Sequence, residues 1–326
     1  MDTTEGWSGP QGSSEVALCA AYGHVWEYLR GGRGQRGDCE SPGLMRCRCC
    51  GAFLHVRCNS ARASKCGPCA ERKRKDVARI GRSGAADSPT GLFFVTLTAP
   101  GADVLPWDRD RCTHEEGVAC SGALLGCVVE AEAAARWNGS APQRWSWFVL
   151  YLRREIGKLE FFKTWETQER GLLHLHAMVR VSAPITRRRM RSTMQTCGIQ
   201  WGFGRQLDVQ SIDGADGREI ARKAGYCAKY ASKSSDDPAA SWRVDRETGE
   251  CRIIAGGYRA WSCSRRWGLT MKALKAARVA YAVGNATAPA GAPPAPPGAL
   301  DPNTNIYTEL DVTSGAKGTS GERGRP

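Results

Sequence analysis

The sequence has no long hydrophobic run and no secretory signal. No stretch approaches the roughly 18 apolar residues that a membrane-spanning helix requires. The N-terminal stretch MDTTEGWSGP is polar and slightly acidic, and no apolar run follows it. Internal repeats are also absent from the sequence. These absences argue against an integral membrane protein and predict a cytoplasmic protein with no membrane partner.

Acidic residues are too few to balance the basic ones. The 326 residues include 46 Lys and Arg against 33 Asp and Glu, giving a formal net charge of +13 and a pI near 9.2. Hydrophobic residues make up 41% and charged residues 24%, so the composition is that of a chain with a packed core. The basic surplus favours a polyanionic partner, most simply nucleic acid, over a charge that serves only solubility.

Histidine is scarce, with five residues, whereas cysteine is abundant, with 15. Because the cytoplasm is reducing, clustered cysteines favour metal binding over disulfides. Two CxxC pairs stand 15 residues apart, a spacing typical of structural zinc sites, and they are Cys47/Cys50 and Cys66/Cys69. Further candidate ligands are Cys49, His55 and Cys58. The alternative is a set of reduced, unliganded cysteines.

Composition divides the chain into four parts. A small polar stretch, GRSGAADSPT at 81–90, is typical of a linker. The final part is rich in Ala, Pro and Gly, and such a composition cannot fold alone. The predicted parts are a poorly ordered N-terminal segment (1–38), a cysteine-rich, basic, zinc-binding module (39–80), a main folded domain (91–275) and a disordered tail (283–326).

Strands and helices alternate in the main domain, which predicts an α+β fold. The hydrophobic patterns predict strands at Leu92–Thr98, Lys158–Glu166, Leu172–Val181 and Gln206–Ile212. The turn-like sequence QERG between the second and third strands predicts a β-hairpin. Predicted helices cover Ala119–Trp137, Arg144–Ile156, Ile185–Thr196 and Arg218–Lys233.

His174 and His176 lie two residues apart in a predicted strand, so both imidazoles point to the same face. Two imidazoles on one face can bind one divalent ion, although two surface histidines would show the same spacing. Across the predicted hairpin, Glu166 is the candidate third ligand, with Glu160 and Glu169 as competitors. Two imidazoles and a carboxylate suit Mg²⁺ or Mn²⁺ and leave positions open for phosphate oxygens.

The string YCAKYASK forms a stripe along one face of a predicted helix. Positions i, i+3, i+4 and i+7 share that face, and they hold Tyr226, Lys229, Tyr230 and Lys233. A phenol can attack phosphorus and form a covalent intermediate when nearby cations stabilise the developing charge. The alternative is an amphipathic helix with core tyrosines and solvated lysines.

Two basic runs are candidate DNA-phosphate contacts rather than merely solvated helix faces. The first follows the cysteines and comprises Arg72, Lys73, Arg74 and Lys75. The second follows the histidines and comprises Arg187, Arg188 and Arg189. Trp242, Trp261 and Trp267 lie among arginines and are expected to be core residues more than base-stacking platforms.

The order of three strings, FFVTLT, then HLH, then YCAKYASK, resembles the HUH endonuclease superfamily and, within it, rolling-circle replication initiators of the two-tyrosine, actinobacterial plasmid type. Two more strings are similar to that type. They are the cysteine-bearing stretch of Arg57-Cys58, Arg62-Ala63-Ser64, Cys66-Gly67-Pro68-Cys69-Ala70 and Asp76, and the stretch Glu166-Thr167-Gln168-Glu169-Arg170-Gly171. The resemblance covers roughly residues 57–275.

The resemblance implies a central antiparallel sheet flanked by helices and preceded by a small zinc-binding module. It implies that His174, His176 and Glu166 hold the catalytic cation and that Tyr230 attacks the origin strand. That attack leaves a 5′-phosphotyrosine link and a free 3′-OH primer, and Tyr226 performs the second transfer. Some relatives carry a glutamate where this chain has Cys227, so a two-tyrosine termination is favoured. The matching zinc ligands are Cys58, Cys66 and Cys69, and the implied partners are a host helicase and DNA polymerase.

Three alternatives remain at this level. A two-tyrosine HUH transposase would share both the zinc module and the nuclease core. A conjugative relaxase is disfavoured because its tyrosine usually precedes the histidines. A non-catalytic zinc-dependent DNA-binding regulator would explain the charge and the cysteines, but it would leave the histidine pair and the tyrosine stripe without a role.

Overall fold

A computed structural model describes residues 26–29, 38–85, 91–101, 104–108, 128–245 and 247–277. The chain divides into two compact units, Met1–Trp267 and Gly268–Pro326, and the described part of the second contains a short helix at 271–277. No described helix combines the length and the apolar character needed to cross a membrane. The predicted tail at 283–326 and the cysteines at 112, 120 and 127 lie outside the described residues.

A five-stranded antiparallel sheet forms the centre of the first unit. Its strands, in the order β12-β7-β8-β4-β9, are β12 (Trp261–Cys263), β7 (Leu159–Thr167), β8 (Leu173–Val181), β4 (Leu92–Leu97) and β9 (Leu207–Ile212). The predicted strands and hairpin are therefore present, and the mixed α+β class with an antiparallel sheet is confirmed. The edge strand β12 was not predicted.

One sheet face carries the main hydrophobic core. Leu173, Leu175, Ala177 and Val179 are fully buried on that face of β8, as the alternation predicts. Two helices cover it, α2 (Ala131–Ile156) and α3 (Arg187–Gln200).

The prediction of two helices at Ala119–Trp137 and Arg144–Ile156 is corrected by this arrangement. Val128–Val129 forms a short strand, β6, paired with β5 (Trp107–Asp108), and residues 109–127 lie outside the described part. One helix then runs unbroken through Pro142. It continues past the proline because residues on both sides of it pack into the same core, among them Trp137, Ala141 and Phe148.

The opposite sheet face is covered by α4 (Gly217–Asp236), the predicted tyrosine helix. Asp216 caps its N-terminus by accepting hydrogen bonds from the backbone N–H groups of Arg218 and Glu219. Helix α1 (Gly67–Ser83) packs along α4. The Asp236 carboxylate, at the end of α4, accepts from the backbone N–H groups of Ala63 and Ser64 at 3.0 and 3.1 Å.

Two small sheets complete the described structure. The first precedes α1 and joins β1 (Trp26–Leu29), β2 (Gly43–Cys47) and β3 (Phe53–Val56). Its first strand falls inside the segment predicted to be poorly ordered, 1–38. The second is the hairpin of β10 (Ala240–Val244) and β11 (Cys251–Ala255). Of the three tryptophans discussed above, Trp267 is buried, as expected of a core residue, while Trp242 and Trp261 are half-buried.

Candidate active site and cysteine cluster

The central strand β8 places both predicted imidazoles under α4. Glu166 on β7 is the direct cross-strand partner of His174, and Thr96 on β4 is the partner of His176. Because paired residues share a sheet face, the predicted carboxylate and the two imidazoles meet on one surface. Of the competing carboxylates, Glu160 pairs with Arg180 at the far end of the hairpin and Glu169 is exposed in the turn.

The two imidazoles differ in their hydrogen bonds. His176 is 3% exposed; its Nε2 lies 3.0 Å from Glu166 Oε2 and its Nδ1 lies 3.2 Å from Thr96 Oγ1. His174 Nδ1 is buried and has no hydrogen-bond partner within the described part of the chain. Burial, with help from His176 and Arg170, lowers the pKa of His174 to about 3, so this imidazole is neutral at pH 7.

Two imidazoles and a carboxylate form a donor set that fits a divalent cation. The buried Nδ1 of His174 has an unused lone pair when that nitrogen is unprotonated, and a neutral imidazole is the form that binds metal. Four cysteine sulfurs form the one tight cluster of potential ligand atoms within the described chain, so these three side chains do not already surround a common point.

Both tyrosine rings lie against the imidazole of His176. The His176 ring centroid is 5.0 Å from that of Tyr226 and 5.2 Å from that of Tyr230, and the two tyrosine centroids are 4.6 Å apart. Phe94, from the FFVTLT strand, stacks on His176 at 5.9 Å and meets Tyr226 edge-on at 5.8 Å. The three strings of the sequence thus converge on one aromatic cluster.

The two tyrosines differ in their burial and in their charged neighbours. Partial burial and the adjacent Tyr230 hydroxyl raise the pKa of Tyr226, so its phenol resists ionisation. Lys229 Nζ lies 5.7 Å from the Tyr230 ring centroid, and Lys233 Nζ lies 4.0 Å from Glu166 Oε1. Burial raises the pKa of Cys227 to about 12, which leaves this thiol neutral.

Lys223 was not predicted from the sequence, and its side chain contacts the aromatic cluster at Phe94. Its ammonium lies 4.5 Å from the Phe94 ring centroid and donates to the Gln210 side chain, which in turn donates to Asp208. Lys223 stands three residues before Tyr226 and seven before Tyr230, so the same helical periodicity extended by one turn would have found it.

A buried cysteine cluster stands at the start of α1. The sulfurs of Cys39, Cys58, Cys66 and Cys69 all lie within 4.8 Å of one another. Burial raises the pKa of Cys66, but hydrogen bonds from the backbone N–H groups of Cys69 and Glu40 outweigh it and lower the pKa to about 7. Four sulfurs this close, one of them readily ionised, suit a structural metal ion.

Three predicted ligands, Cys58, Cys66 and Cys69, belong to the cluster. The fourth sulfur comes from Cys39 and not from the predicted Cys47 or Cys50. Cys39 precedes β2 and Cys58 follows β3, so both reach the open end of the β2–β3 hairpin beside α1. Cys47 and Cys50 lie at the closed end of that hairpin, outside the cluster, and Cys47 Sγ is 3.0 Å from Cys49 Sγ. The side chain of His55 is outside the described residues.

The two predicted DNA-binding runs lie on different sides of the sheet. Arg72, Lys73, Arg74 and Lys75 are on α1, and Arg74 and Lys75 pair with Glu71 at 2.6 and 3.8 Å. The second run, Arg187 to Arg189, begins α3 on the face opposite the tyrosines. The Arg187 guanidinium there donates to the Val209 carbonyl at 2.7 Å.

Comparisons with known proteins give two similarities. A family model described as RepSA, the replication initiator protein of pSAM2, matches residues 125–196. A replication initiator protein of Streptomyces ambofaciens is 25% identical to this chain, and the match covers 71% of each protein. Both similarities are to replication initiators. They confirm the resemblance to a replication initiator. The family match includes His174, His176 and Glu166 and ends before the tyrosine helix.

Proposed function

We propose that the chain initiates rolling-circle replication of a plasmid by nicking one DNA strand at the origin, and that its sheet domain is an HUH endonuclease. One observation carries the proposal: the imidazoles of His174 and His176, the Glu166 carboxylate and the phenols of Tyr226 and Tyr230 meet on one sheet face. The similarity to replication initiators supplies the biological setting, an origin on DNA.

His174, His176 and Glu166 are the residues that would hold the divalent cation. When bound, Mg²⁺ or Mn²⁺ would polarise the scissile phosphate. Thr96 orients His176 through its Nδ1. Lys233 adds positive charge beside Glu166, close to where the transferred phosphoryl group would lie.

Tyr230 is the proposed first nucleophile. Its hydroxyl oxygen forms a bond to phosphorus while the bond from phosphorus to the 3′ oxygen breaks, which leaves a 5′-phosphotyrosine link. The phenolic proton leaves to water, and the 3′ oxygen takes a proton from water to become the 3′-OH primer. The raised pKa of Tyr226 favours Tyr230 for this step, and Lys229 stabilises the charge that develops at Tyr230.

Tyr226 is the proposed second nucleophile, which rejoins the strand at the end of a round. Its ring lies 4.6 Å from that of Tyr230, one helical turn away. The neighbouring Cys227 is buried and neutral, so it cannot activate water in the way a glutamate would. A termination that uses both tyrosines is therefore favoured over hydrolysis.

Zinc is the proposed occupant of the cysteine cluster because soft sulfur ligands select it over Mg²⁺. The cluster would fix the start of α1, whose basic residues we propose as DNA contacts together with Arg187, Arg188 and Arg189. A host helicase and DNA polymerase would be the protein partners. A two-tyrosine transposase uses the same chemistry, and the DNA that flanks the gene would distinguish it.

A covalent-adduct assay tests the proposal. The full chain would be incubated with Mn²⁺ and supercoiled DNA that carries the gene's own flanking region, and denaturing gels with mass spectrometry would detect a nucleotide on the peptide spanning Tyr226–Lys233. We expect an adduct that EDTA abolishes, that Tyr230→Phe loses and that Tyr226→Phe retains at the first step.

Other outcomes would change the assignment in defined ways. An adduct lost in Tyr226→Phe and kept in Tyr230→Phe would reverse the two tyrosine roles. No nicking by folded, metal-loaded protein on its own origin would contradict the nuclease and favour a DNA-binding regulator. For that regulator, Tyr230→Phe would have no effect on DNA affinity.

A further inference from the structure

A basic cleft lies at the end of the β7–β8 hairpin remote from its turn. This open cleft of about 850 Å³ is lined by five cationic side chains and one carboxylate, that of Glu160. Within the described chain, none of the five forms an ion pair with a carboxylate. The cations of this cleft are Arg153, Lys158, Arg180, Arg265 and Arg266.

The loop that carries Arg265 and Arg266 is fixed at both ends. Ser264 exchanges hydrogen bonds with Phe161 on β7, with both N···O distances at 2.9 Å. At the other end, the indole N–H of the buried Trp267 donates to the Ile80 carbonyl of α1 at 3.0 Å. The two exposed arginines therefore project from a rigid loop, which lowers the entropy lost when they bind a ligand.

Two further guanidinium groups of the cleft are oriented without being neutralised. Arg180 donates to the Gly84 carbonyl at 2.7 Å and to the Arg266 carbonyl at 2.8 Å. Arg153 donates to the Leu159 carbonyl at 3.1 Å. A carbonyl partner fixes the direction of a guanidinium but leaves its full positive charge, so the cleft keeps a strong attraction for anions.

The basic run on α1, by contrast, does not keep its full positive charge. Glu71 forms ion pairs with two members of that run, Arg74 and Lys75, and so offsets part of its charge. The cleft has a single carboxylate among five cations, and within the described chain that carboxylate forms no ion pair. A polyanion gains more from the cleft than from an equally long run of partly paired charges.

We infer that this cleft binds the phosphate backbone of the DNA that flanks the nick, an inference that rests on the proposed function. Arg180 and His176 are four residues apart on the same face of β8, so their Cα atoms are about 13 Å apart. That span equals about four nucleotides of stacked DNA. The strand between them is covered, because Met178 is fully buried beneath the helices of that face. DNA that leaves the candidate active site would therefore reach the cleft over the surface of those helices, within the same molecule.

The salt dependence of DNA binding tests the cleft. The double variant Arg265→Gln/Arg266→Gln removes two exposed cleft charges. As the control, Arg243→Gln/Arg252→Gln removes two exposed charges from the β10–β11 hairpin, where Arg252 is ion-paired with Glu250. Affinity would be measured in EDTA, over a salt series, for a duplex of about 30 base pairs and a single strand of the same length.

The expected result is a smaller slope of log affinity against log salt for the cleft variant alone. Two lost phosphate contacts reduce that slope by about 1.8 on a duplex or by about 1.4 on a single strand. The DNA form that shows the change identifies which part of the origin occupies the cleft. An unchanged slope, or equal changes in the cleft and control variants, would overturn the inference.

A nicking assay on a short oligonucleotide separates this inference from the nuclease proposal. An oligonucleotide too short to reach the cleft should be nicked equally by wild type and by the cleft variant. If the wild type nicks DNA and the slopes are unchanged, the cleft assignment fails alone. If nothing is nicked and the slope still falls, the cleft stands and the nuclease proposal fails.

Discussion

At the scale of single residues, Asn138 shows how one buried amide positions the candidate site. Its Nδ2 donates to the carbonyls of Gly171 and Ala240 at 2.9 and 2.8 Å, and its Oδ1 accepts from the Leu173 backbone N–H at 2.9 Å. The side chain thus joins α2 to β10 and to the turn of the β7–β8 hairpin. Leu173 immediately precedes His174, so this amide fixes the start of the histidine strand.

Replacing Asn138 by Ala should therefore destabilise the fold strongly. Three backbone groups lose their partner. The Leu173 N–H is buried, and leaving it unsatisfied costs about 1–3 kcal/mol, whereas the carbonyls of half-buried Gly171 and exposed Ala240 can bind water, so we expect a loss of about 2 kcal/mol. Urea unfolding would measure it against Gln143→Ala, an exposed position on the same helix, where the expected change is within about 0.5 kcal/mol. Equal effects of the two variants would contradict the role assigned to Asn138.

Lys163 is an unusual member of the core face. It is 5% exposed and burial lowers its pKa to about 7, although the Trp165 ring, 4.3 Å from the ammonium, offsets part of the cost. Between pH 7 and about 10.5 the unfolded chain binds one more proton at this lysine than the folded chain does. The contribution of Lys163 to stability therefore rises with pH through that window.

The variant Lys163→Met should be more stable than the wild type at pH 7, and the difference should shrink as pH rises. The expected slope of that difference is about 1.4 kcal/mol per pH unit at most. Chemical denaturation of both proteins at pH 7, 8 and 9 would test it, since the cysteine titrations common to both cancel. A difference that stays constant with pH would show that Lys163 titrates normally in the folded state.

At the scale of elements, two helix glycines have opposite surroundings. A Cβ on Gly139 of α2 would lie 2.6 Å from the Trp242 carbonyl oxygen of β10, whereas a Cβ on Gly225 of α4 would meet nothing within 4 Å. The absence of a side chain at Gly139 therefore allows β10 to approach α2. At Gly225 the glycine only lowers helix stability.

Changing each glycine to alanine should move stability in opposite directions. We expect Gly225→Ala to raise the free energy of unfolding by about 0.5–1 kcal/mol, because alanine has the higher helix propensity. Gly139→Ala should lower it by about 2 kcal/mol or more, because backbone atoms must move apart. Thermal melts of both variants would measure these changes. Stabilisation by Gly139→Ala would contradict the close approach of β10 to α2.

Elements with a strong local pattern were predictable from the sequence, and elements defined by distant partners were not. The β7–β8 hairpin and α4 were predicted to within a few residues, because alternation and helical periodicity are local signals. Strand β12 has three residues and forms only because β7 offers an open edge, a fact absent from its own sequence.

The same contrast applies to the candidate site. Spacing within single elements or across one tight turn made the histidines, Glu166 and the tyrosines candidates, and the resemblance carried by the order of the three strings favoured them over surface or core roles. Cys39 was not predicted as a ligand because it joins the cluster only when the β2–β3 hairpin brings together the residues before β2 and after β3. The pair Cys47/Cys50 has the regular CxxC spacing and was predicted instead. The spacing of cysteines along the sequence does not show which of them a folded hairpin brings together.

At the scale of the whole molecule, the cysteine cluster should stabilise more than its own module. It anchors the start of α1, which packs along the tyrosine helix, and Asp236 at the end of α4 binds the segment just before Cys66. Removal of a metal ion held by this cluster should therefore loosen the packing of α4 as well as the small sheet.

The variants Cys39→Ser and Cys50→Ser test both the ligand set and this coupling. We expect Cys39→Ser to lose the proposed zinc and to melt several degrees lower, and Cys50→Ser to keep that zinc. Metal analysis and thermal melts of the purified proteins would show this. Zinc lost from Cys50→Ser and kept in Cys39→Ser would show that the two CxxC pairs are the ligands instead.

The position of β12 in the sheet also has a consequence for protein synthesis. This strand, Trp261–Cys263, seals the free edge of β7, and Trp267 just beyond it inserts beside α1. At about 5–20 residues per second, the ribosome makes the histidine strand several seconds before it makes this seal. A nascent chain therefore carries the histidine strand and the tyrosine helix while the edge of β7 is still open, and the sheet is completed only late in translation.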